Sequence, residues 1–151
     1  MEFTRTDRIE QEVRLDAAPS RVWKALTDAR EFGAWFGVRL EGPFAPGARN
    51  RGPVTNPGYE HLVLEVEVER MEAESCFAFR WHPNAVDPTL DYAMEPTTLV
   101  EFRLEAAGSG TLVKLVESGF ERIPYGRREE ARRNDERGWA RQMVNLREYL
   151  H

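Results

Sequence analysis

The stretch LVLEVEVERMEAESCFAFRW, residues 62–81, decides the fold that the sequence predicts. Apolar residues alternate with acidic ones in its first half and with small or polar ones in its second half. This alternation is typical of two half-buried antiparallel strands. Pairing Val68 with Phe79 sets the apolar side chains on one face, and the same register places Glu67 opposite Arg80 on the other. The stretch therefore predicts a β-hairpin with one buried face.

The same alternation recurs before and after this hairpin. Residues Ile9–Leu15 predict a first strand, and residues 100–104 and Thr111–Ser118 predict a second hairpin around the glycine-containing turn at 107–110. The Gly- and Pro-rich region 38–59 fits short strands between turns. Together these segments predict an antiparallel sheet of six to seven strands.

Helical patterns stand at two places in the sequence. Pro19 opens a short helix, and Asp28 with Glu31 predicts a capping box that starts a second short helix. A long helix is predicted over about Arg127–Leu150, with an apolar stripe that faces a core. The stripe consists of Trp139, Met143, Leu146 and Leu150. This order of elements predicts one α+β domain, residues 1–151, in which an antiparallel sheet grips the C-terminal helix.

Composition excludes several classes of protein. The chain has 151 residues, 41% apolar and 31% charged, with a formal net charge of −5. The apolar fraction excludes general disorder, and the acidic balance argues against a nucleic-acid partner. In the Arg-rich segment 122–147 the cations alternate with acids, as they do on solvated helices.

The single cysteine and the hydropathy pattern bear on where the protein resides. Cys76, the only cysteine, forms no internal disulfide, so we expect a cytoplasmic location and a small buried thiol. The charged N-terminus lacks the apolar stretch of a signal peptide. No apolar run reaches the roughly 18 residues of a membrane span.

Six short segments, in this order, resemble a known superfamily. They are APSRVWKALTD at 18–28, WFG at 35–37, FRW at 79–81, PTTLVEF at 96–102, ESGF at 117–120 and GW at 138–139. The ordered set resembles the SRPBCC or START-like superfamily, and within it the bacterial proteins related to the activator of heat-shock-protein ATPase. The resemblance implies a Bet v 1-like helix-grip fold, with a cavity between a curved sheet and the C-terminal helix.

The same resemblance implies several functions, because the superfamily includes binders of lipids, hormones and polyketides, cyclase- or hydrolase-like enzymes, and activators of a chaperone ATPase. Fold alone does not choose among them. We expect a binder of a small apolar or amphipathic molecule. The alternatives are an enzyme that uses the same cavity and a protein-binding module of the chaperone-activator kind. The sequence is compatible with a homodimer but indicates no interface.

Inward-facing aromatic residues and one inward carboxylate are the candidate ligand-binding groups. Such pockets are mainly apolar and carry a few polar groups. The pattern cannot separate cavity wall from packed core, and we expect Trp35, Trp81 and Trp139 to be the best cavity candidates. The predicted cavity residues are Trp35, Tyr59, Val66, Phe79, Trp81, Phe102, Leu115, Glu117, Trp139 and Met143.

Two acidic residues have two interpretations each. Glu117 shares the inward face of its strand with Val113 and Leu115, so it is either an acid, base or ligand anchor beside the cavity, or an ion-pair partner of an arginine at the strand end. Asp135 lies four residues before Trp139 on the inner stripe of the long helix. It stands either at a cavity mouth, or in solvent or in an ion pair.

No metal or cofactor is expected from the sequence. His61 and His82 fall on outward strand positions without a partner at ligand spacing, and the glycines at 108 and 110 belong to a turn. The proline-rich loop 83–97 is either functional, such as a lid, or a passive surface insertion. No catalytic residue is assigned.

Overall fold

A computed structural model describes residues 7–87 and 89–151; residues 1–6 of the charged N-terminus and residue 88 of the proline-rich loop lie outside that description. The described elements are β1 (Arg8–Leu15), α1 (Pro19–Thr27), α2 (Ala29–Phe36), β2 (Arg49–Pro53), β3 (Val63–Glu72), β4 (Cys76–Trp81), β5 (Thr98–Ala107), β6 (Gly110–Ser118) and α3 (Tyr125–Leu150). All neighbouring strands are antiparallel, in the order β1-β6-β5-β4-β3-β2. The predicted α+β helix-grip fold with two short helices after β1 is confirmed.

The hairpin β3–β4 has the register that its sequence pattern predicts. Val68 pairs with Phe79 and Glu67 with Arg80, and a β-bulge follows Val68. The bulge shifts the outer charges, so that the Arg80 Nε donates to Oε1 of Glu69 at 2.8 Å. The apolar face of the hairpin is thereby turned inward, while its charged face stays in solvent.

Helix α3 lies across the inner face of the sheet. Of its predicted apolar stripe, Trp139, Met143 and Leu146 are buried and Leu150 is partly buried. The helix begins at Tyr125, two residues earlier than the pattern indicated. Side-chain amides fix its position: Gln142 Nε2 donates to the Phe36 carbonyl at 2.8 Å, and Gln11 Nε2 donates to the Glu136 carbonyl at 2.9 Å. Among the described residues, no helix has the length and apolar character needed to cross a membrane.

Asp28 connects α1 and α2. Its Oδ1 accepts the backbone N–H groups of Arg30 at 2.9 Å and Glu31 at 3.1 Å, so the predicted N-cap is confirmed. Its own N–H donates to the Lys24 carbonyl at 2.9 Å and closes α1. One residue therefore ends the first helix and starts the second.

The other half of the predicted capping box, a bond from the Glu31 side chain back to the Asp28 N–H, is wrong. Because the Asp28 N–H is already bonded within α1, Glu31 has no backbone donor to reach back to. Glu31 instead accepts hydrogen bonds from Arg21 Nη1 at 2.7 Å and from the Tyr149 hydroxyl at 2.8 Å. The carboxylate thus links the two short helices to the end of α3.

We expect Asp28→Ala to lower the free energy of unfolding by about 1 kcal/mol, because the first turn of α2 loses the acceptor for two N–H groups. Asp28→Asn keeps a side-chain acceptor and should stay within a few tenths of a kcal/mol, on the order of the difference among good caps. Urea unfolding of the three proteins measures both changes. Equal losses in the two variants would contradict the capping role.

Candidate functional site

Aromatic rings fill the space between the sheet and α3. Phe77, Phe79 and Phe102 are fully buried, and Phe102 contacts Trp139 with ring centroids 5.6 Å apart. Trp35 is 4% exposed and donates its indole N–H to the Ala25 carbonyl at 2.9 Å. The sequence-predicted cavity residues that lie in this buried cluster are Trp35, Val66, Phe79, Phe102, Leu115, Trp139 and Met143.

Open space lies at one end of this aromatic cluster. A pocket of about 690 Å³, here called the large pocket, extends from the β2–β3 edge to the loop after β4, and a small pocket of about 100 Å³ lies against α3. Trp81 and Asp135 line both, and Trp139 lines the small one. Tyr59 is 57% exposed in the β2–β3 connection and lies outside both linings.

Behind Trp81 and Trp139 lies the buried carboxylate of Glu117. Its Oε2 accepts hydrogen bonds from Trp81 Nε1 at 2.8 Å and from the Thr98 hydroxyl at 2.6 Å. Its Oε1 accepts one from Trp139 Nε1 at 2.8 Å. The two indoles stack, with centroids 5.4 Å apart. Glu117 therefore faces inward, and the interpretation as an arginine ion pair is wrong: in the described part of the chain it makes none.

Four elements supply this arrangement. Glu117 is the last inward residue of β6, Trp81 ends β4, Thr98 begins β5, and Trp139 projects from α3. All three donors are neutral, and together they replace the water that a carboxylate loses on burial. A carboxylate has about four acceptor positions, so one position on Glu117 is left for another donor.

Asp135 occupies the remaining side of Glu117. Its carboxyl group neighbours that of Glu117, and its Oδ2 is buried without a hydrogen-bond partner. Burial and the neighbouring negative charge of Glu117 hold the pKa of Asp135 well above its ordinary value, against a smaller opposing effect of Arg127. Glu117 and Asp135 are called the carboxyl pair below.

Arg127 fastens the loop that forms one wall of the large pocket. Its Nη2 and Nε donate to Glu95 Oε1 at 2.7 and 2.9 Å, and its Nη1 donates to the Pro83 carbonyl at 3.0 Å. The guanidinium also lies over the Tyr92 ring, 4.8 Å from its centroid. The loop 83–97 is thus tied to α3 and contributes to the pocket.

His82 does not face solvent as the sequence pattern indicated. It is half-buried in the lining of the large pocket, and its Nε2 lies 3.0 Å from the Glu95 carbonyl oxygen. Strand β4 ends at Trp81, so the alternation that predicted an outward side chain no longer applies at the next residue. His61 is exposed, as expected.

Other candidate chemistry is weak. Within the described ranges, no three histidine, cysteine or acidic side chains come together as a metal site. Cys76 is buried, and burial raises the pKa of its thiol, which disfavours the reactive thiolate. The candidate functional site therefore consists of the two pockets and the carboxyl pair between them.

A match to a family model shows to which protein family this chain belongs. The model described as "Activator of Hsp90 ATPase homolog 1-like protein" matches residues 16–151. The chain belongs to this family. A search of curated proteins finds no significant match.

Several solved structures are similar to this chain in fold. Protein MLL2253 from Mesorhizobium loti is 22% identical, with a TM-score of 0.74 over 95% of this chain and 96% of that one. The Aha1 dimer from Colwellia psychrerythraea is 18% identical, with a TM-score of 0.70 over 95% of each chain. DynU16, from the dynemicin biosynthetic locus, is 24% identical with a TM-score of 0.73; the match covers 95% of this chain and 47% of DynU16. At these identities the likeness shows the fold.

Sequence reasoning identified Glu117, Trp81 and Trp139 separately but not the bonds that join them. Thr98 was missed as a site residue, although it stands in the PTTLVEF segment and is fully buried. The four-residue spacing from Asp135 to Trp139 was the one available signal that an acid shares the inner stripe of α3. Lining of a ligand cavity by the ten predicted residues stays a prediction.

We expect Thr98→Val to lower the free energy of unfolding by about 1.5–3 kcal/mol, because a buried carboxylate loses a charge-assisted hydrogen bond. Thr111 is the matched control: it is equally buried and donates at 2.7 Å to the neutral Ala17 carbonyl. Thr111→Val should cost about 0.5–1.5 kcal/mol. Urea unfolding compares the two, and a smaller loss for Thr98→Val would argue against an ionised Glu117.

We expect Asp135→Asn to raise stability at neutral pH. The pKa of Asp135 is higher in the folded protein than in the unfolded chain, so between those two values only the folded state holds the proton. The free energy of unfolding therefore falls as pH rises through this window, by up to about 1.4 kcal/mol per pH unit. Asparagine does not titrate, so the variant lacks this fall in the free energy of unfolding. Its side-chain N–H can also donate to Glu117.

Urea unfolding across pH measures this effect. The difference between variant and wild type should grow as pH rises above the ordinary aspartate range and stay constant below it. A difference independent of pH would show that Asp135 titrates normally in the folded protein.

Proposed function

We propose that the protein binds a small amphipathic molecule in the large pocket. The observation that carries this proposal is a pocket of about 690 Å³ whose lining includes Trp81 and Asp135, the member of the carboxyl pair that reaches open space. Small-molecule pockets commonly measure about 300–1,000 Å³ and combine apolar walls with a few placed polar groups.

The lining supports an amphipathic ligand. Both apolar and polar side chains come from the β2–β3 side and from the loop after β4, and Asp135 adds a carboxyl group from α3. The apolar side chains are Val54, Leu62, Val63, Leu64, Trp81, Ala85, Val86 and Ala93, and the polar or charged ones include Arg51, Glu65, His82, Asn84, Asp91, Tyr92 and Asp135. The pocket lies beside the packed aromatic cluster, so a ligand can enter without opening the core.

An acid–base enzyme of the cyclase or hydrolase type is the second candidate. It is favoured by one observation, the raised pKa of Asp135 in the wall of both pockets. A carboxyl group whose pKa is raised by burial suits general acid catalysis. Binding without any chemical change in the bound molecule would favour the binder over the enzyme.

Binding of the dye Nile red tests the proposed function. We expect wild-type protein to bind the dye with a blue-shifted, stronger emission, as an apolar pocket requires. Ala85→Trp places a large side chain in the large pocket and should weaken binding at least about tenfold, since it removes apolar contact area.

Ala140→Trp is the matched control, because Ala140 is an exposed residue of α3 outside both pockets. It should leave dye affinity within about twofold, well under the 1.4 kcal/mol of a tenfold change. Equal affinity of the wild type and Ala85→Trp would place the dye elsewhere and overturn the proposal. Thermal unfolding of each variant verifies that the fold is kept.

Three further expectations remain proposals. A cytoplasmic location fits the single buried cysteine. A homodimer is supported by one relative, the Colwellia psychrerythraea protein, which is described as a dimer. A chaperone-activating role is supported by the family description alone, and absence of chaperone binding and of ATPase stimulation would exclude it.

A further inference from the structure

We propose that the ligand carries a protonated amine, which binds at the carboxyl pair while its apolar tail lies in the large pocket. The inference rests on the proposed function, because the amine is the head group of the same bound molecule. It identifies the chemical class of the ligand as a cationic amphiphile.

The carboxyl pair lacks a cation. Glu117 is bonded by Trp81, Thr98 and Trp139, which are all neutral, and among the described residues neither acid forms an ion pair. The nearest cation, Arg127, directs its donors to Glu95 and Pro83. Because Glu117 is fully buried and Asp135 lies half-buried beside it, ionising both acids is costly without a positive charge in direct contact.

A single shared proton accounts for the two carboxyl groups lying side by side in the free protein. One acceptor position on Glu117 is open, and the buried Oδ2 of Asp135 has no partner. A proton on Asp135 that points to Glu117 satisfies both atoms at once and leaves the pair with one negative charge. The position that this proton would take is the one where a cationic ligand can place an ammonium group.

The charges around the large pocket favour a cation over an anion. The acids in its lining are Asp135 on α3, Glu65 on β3 and Asp91 in the loop. Arg51 on β2 is the one arginine or lysine in the lining, and His82 contributes an imidazole. An anionic head group would meet this acidic excess and the carboxyl pair together. A carboxylate or phosphate ligand is therefore disfavoured.

An amine fits the site better than a hydroxyl group or a metal ion. A hydroxyl group can donate to Asp135 but brings no charge that would allow the second carboxyl group to ionise. A metal ion requires several ligands, and no three metal-ligating side chains come together in the described residues. The apolar walls at Leu62, Leu64 and Trp81 also suit a hydrocarbon tail rather than a hydrated ion.

Amine binding is expected to release a proton. The O–H bond of Asp135 breaks, its proton passes to the buffer, and the ammonium group keeps its own hydrogens and donates to the two carboxylates. Affinity for the amine therefore rises with pH through the raised pKa of Asp135. The other charged groups around the site, Arg51, Glu65, His82, Asp91 and Arg127, change this dependence only where they titrate themselves.

Calorimetry with three octyl probes tests the inference. The probes are n-octylamine, n-octanol and octanoate, which share one tail and differ in the head group. We expect octylamine to bind at least about tenfold more tightly than octanol, because its bond to a carboxylate is charge-assisted, and octanoate to bind most weakly. Titrations in phosphate and Tris buffers give the number of protons released, which should approach one below the raised pKa of Asp135.

Two variants at adjacent positions of α3 make the test specific. Asp135→Asn should lower octylamine affinity at least about tenfold and abolish proton release, while octanol binding changes little. Glu136→Gln is the matched control, since Glu136 is exposed, pairs with Arg132 at 3.7 Å and lies outside both pockets. It removes the same charge from the next residue and should leave affinity and proton release unchanged.

The outcomes separate this inference from the proposed function. The amine inference is overturned if Nile red binds but the protein prefers octanoate or octanol to octylamine. It is also overturned if Nile red binds and Asp135→Asn leaves octylamine binding unaffected. In both cases the pocket proposal stands. Absence of binding by the dye and by all three octyl probes overturns both. Preference for octylamine with proton release that depends on Asp135 supports both.

Discussion

The buried carboxylate of Glu117 is the constraint on which the rest of the site depends. Its three hydrogen bonds join the ends of β4, β5 and β6 to the middle of α3. A charge removed from water is tolerated only with such donors, so these four elements must meet at this point. The bonds fix both indole rings, and the rings in turn form walls of the two pockets.

Aromatic packing determines where a ligand can lie. The rings of Phe77, Phe79 and Phe102 are fully buried and pack against one another between the sheet and the helix. The remaining space is therefore displaced toward the strand ends, where the loop 83–97 supplies a wall. Asp135, beside the buried Glu117, lines both pockets, so the buried site and the open space meet at this residue.

Much of the fold followed from local patterns, whereas the site followed from contacts distant in sequence. Alternation predicted the β3–β4 register because the inner face of a sheet tolerates only apolar side chains there. It predicted that Glu117 points inward, yet it could not identify its partners, since Trp81, Thr98 and Trp139 lie 19 to 36 residues away. Alternation also failed at His82, because the pattern does not show where a strand ends.

The hydrogen bonds between Arg127 and the loop 83–97 hold this wall of the large pocket against α3. Helix α3 is held to the sheet by the indole bond of Trp139 to Glu117, so swinging the helix outward would break a buried charge-assisted contact. The loop is held by Glu95 and Pro83, whose bonds to Arg127 are only partly buried. The Arg127–Glu95 ion pair must therefore open before the loop can move away from α3, and because its side chains are only 17% and 21% exposed, dissolved salt screens it weakly.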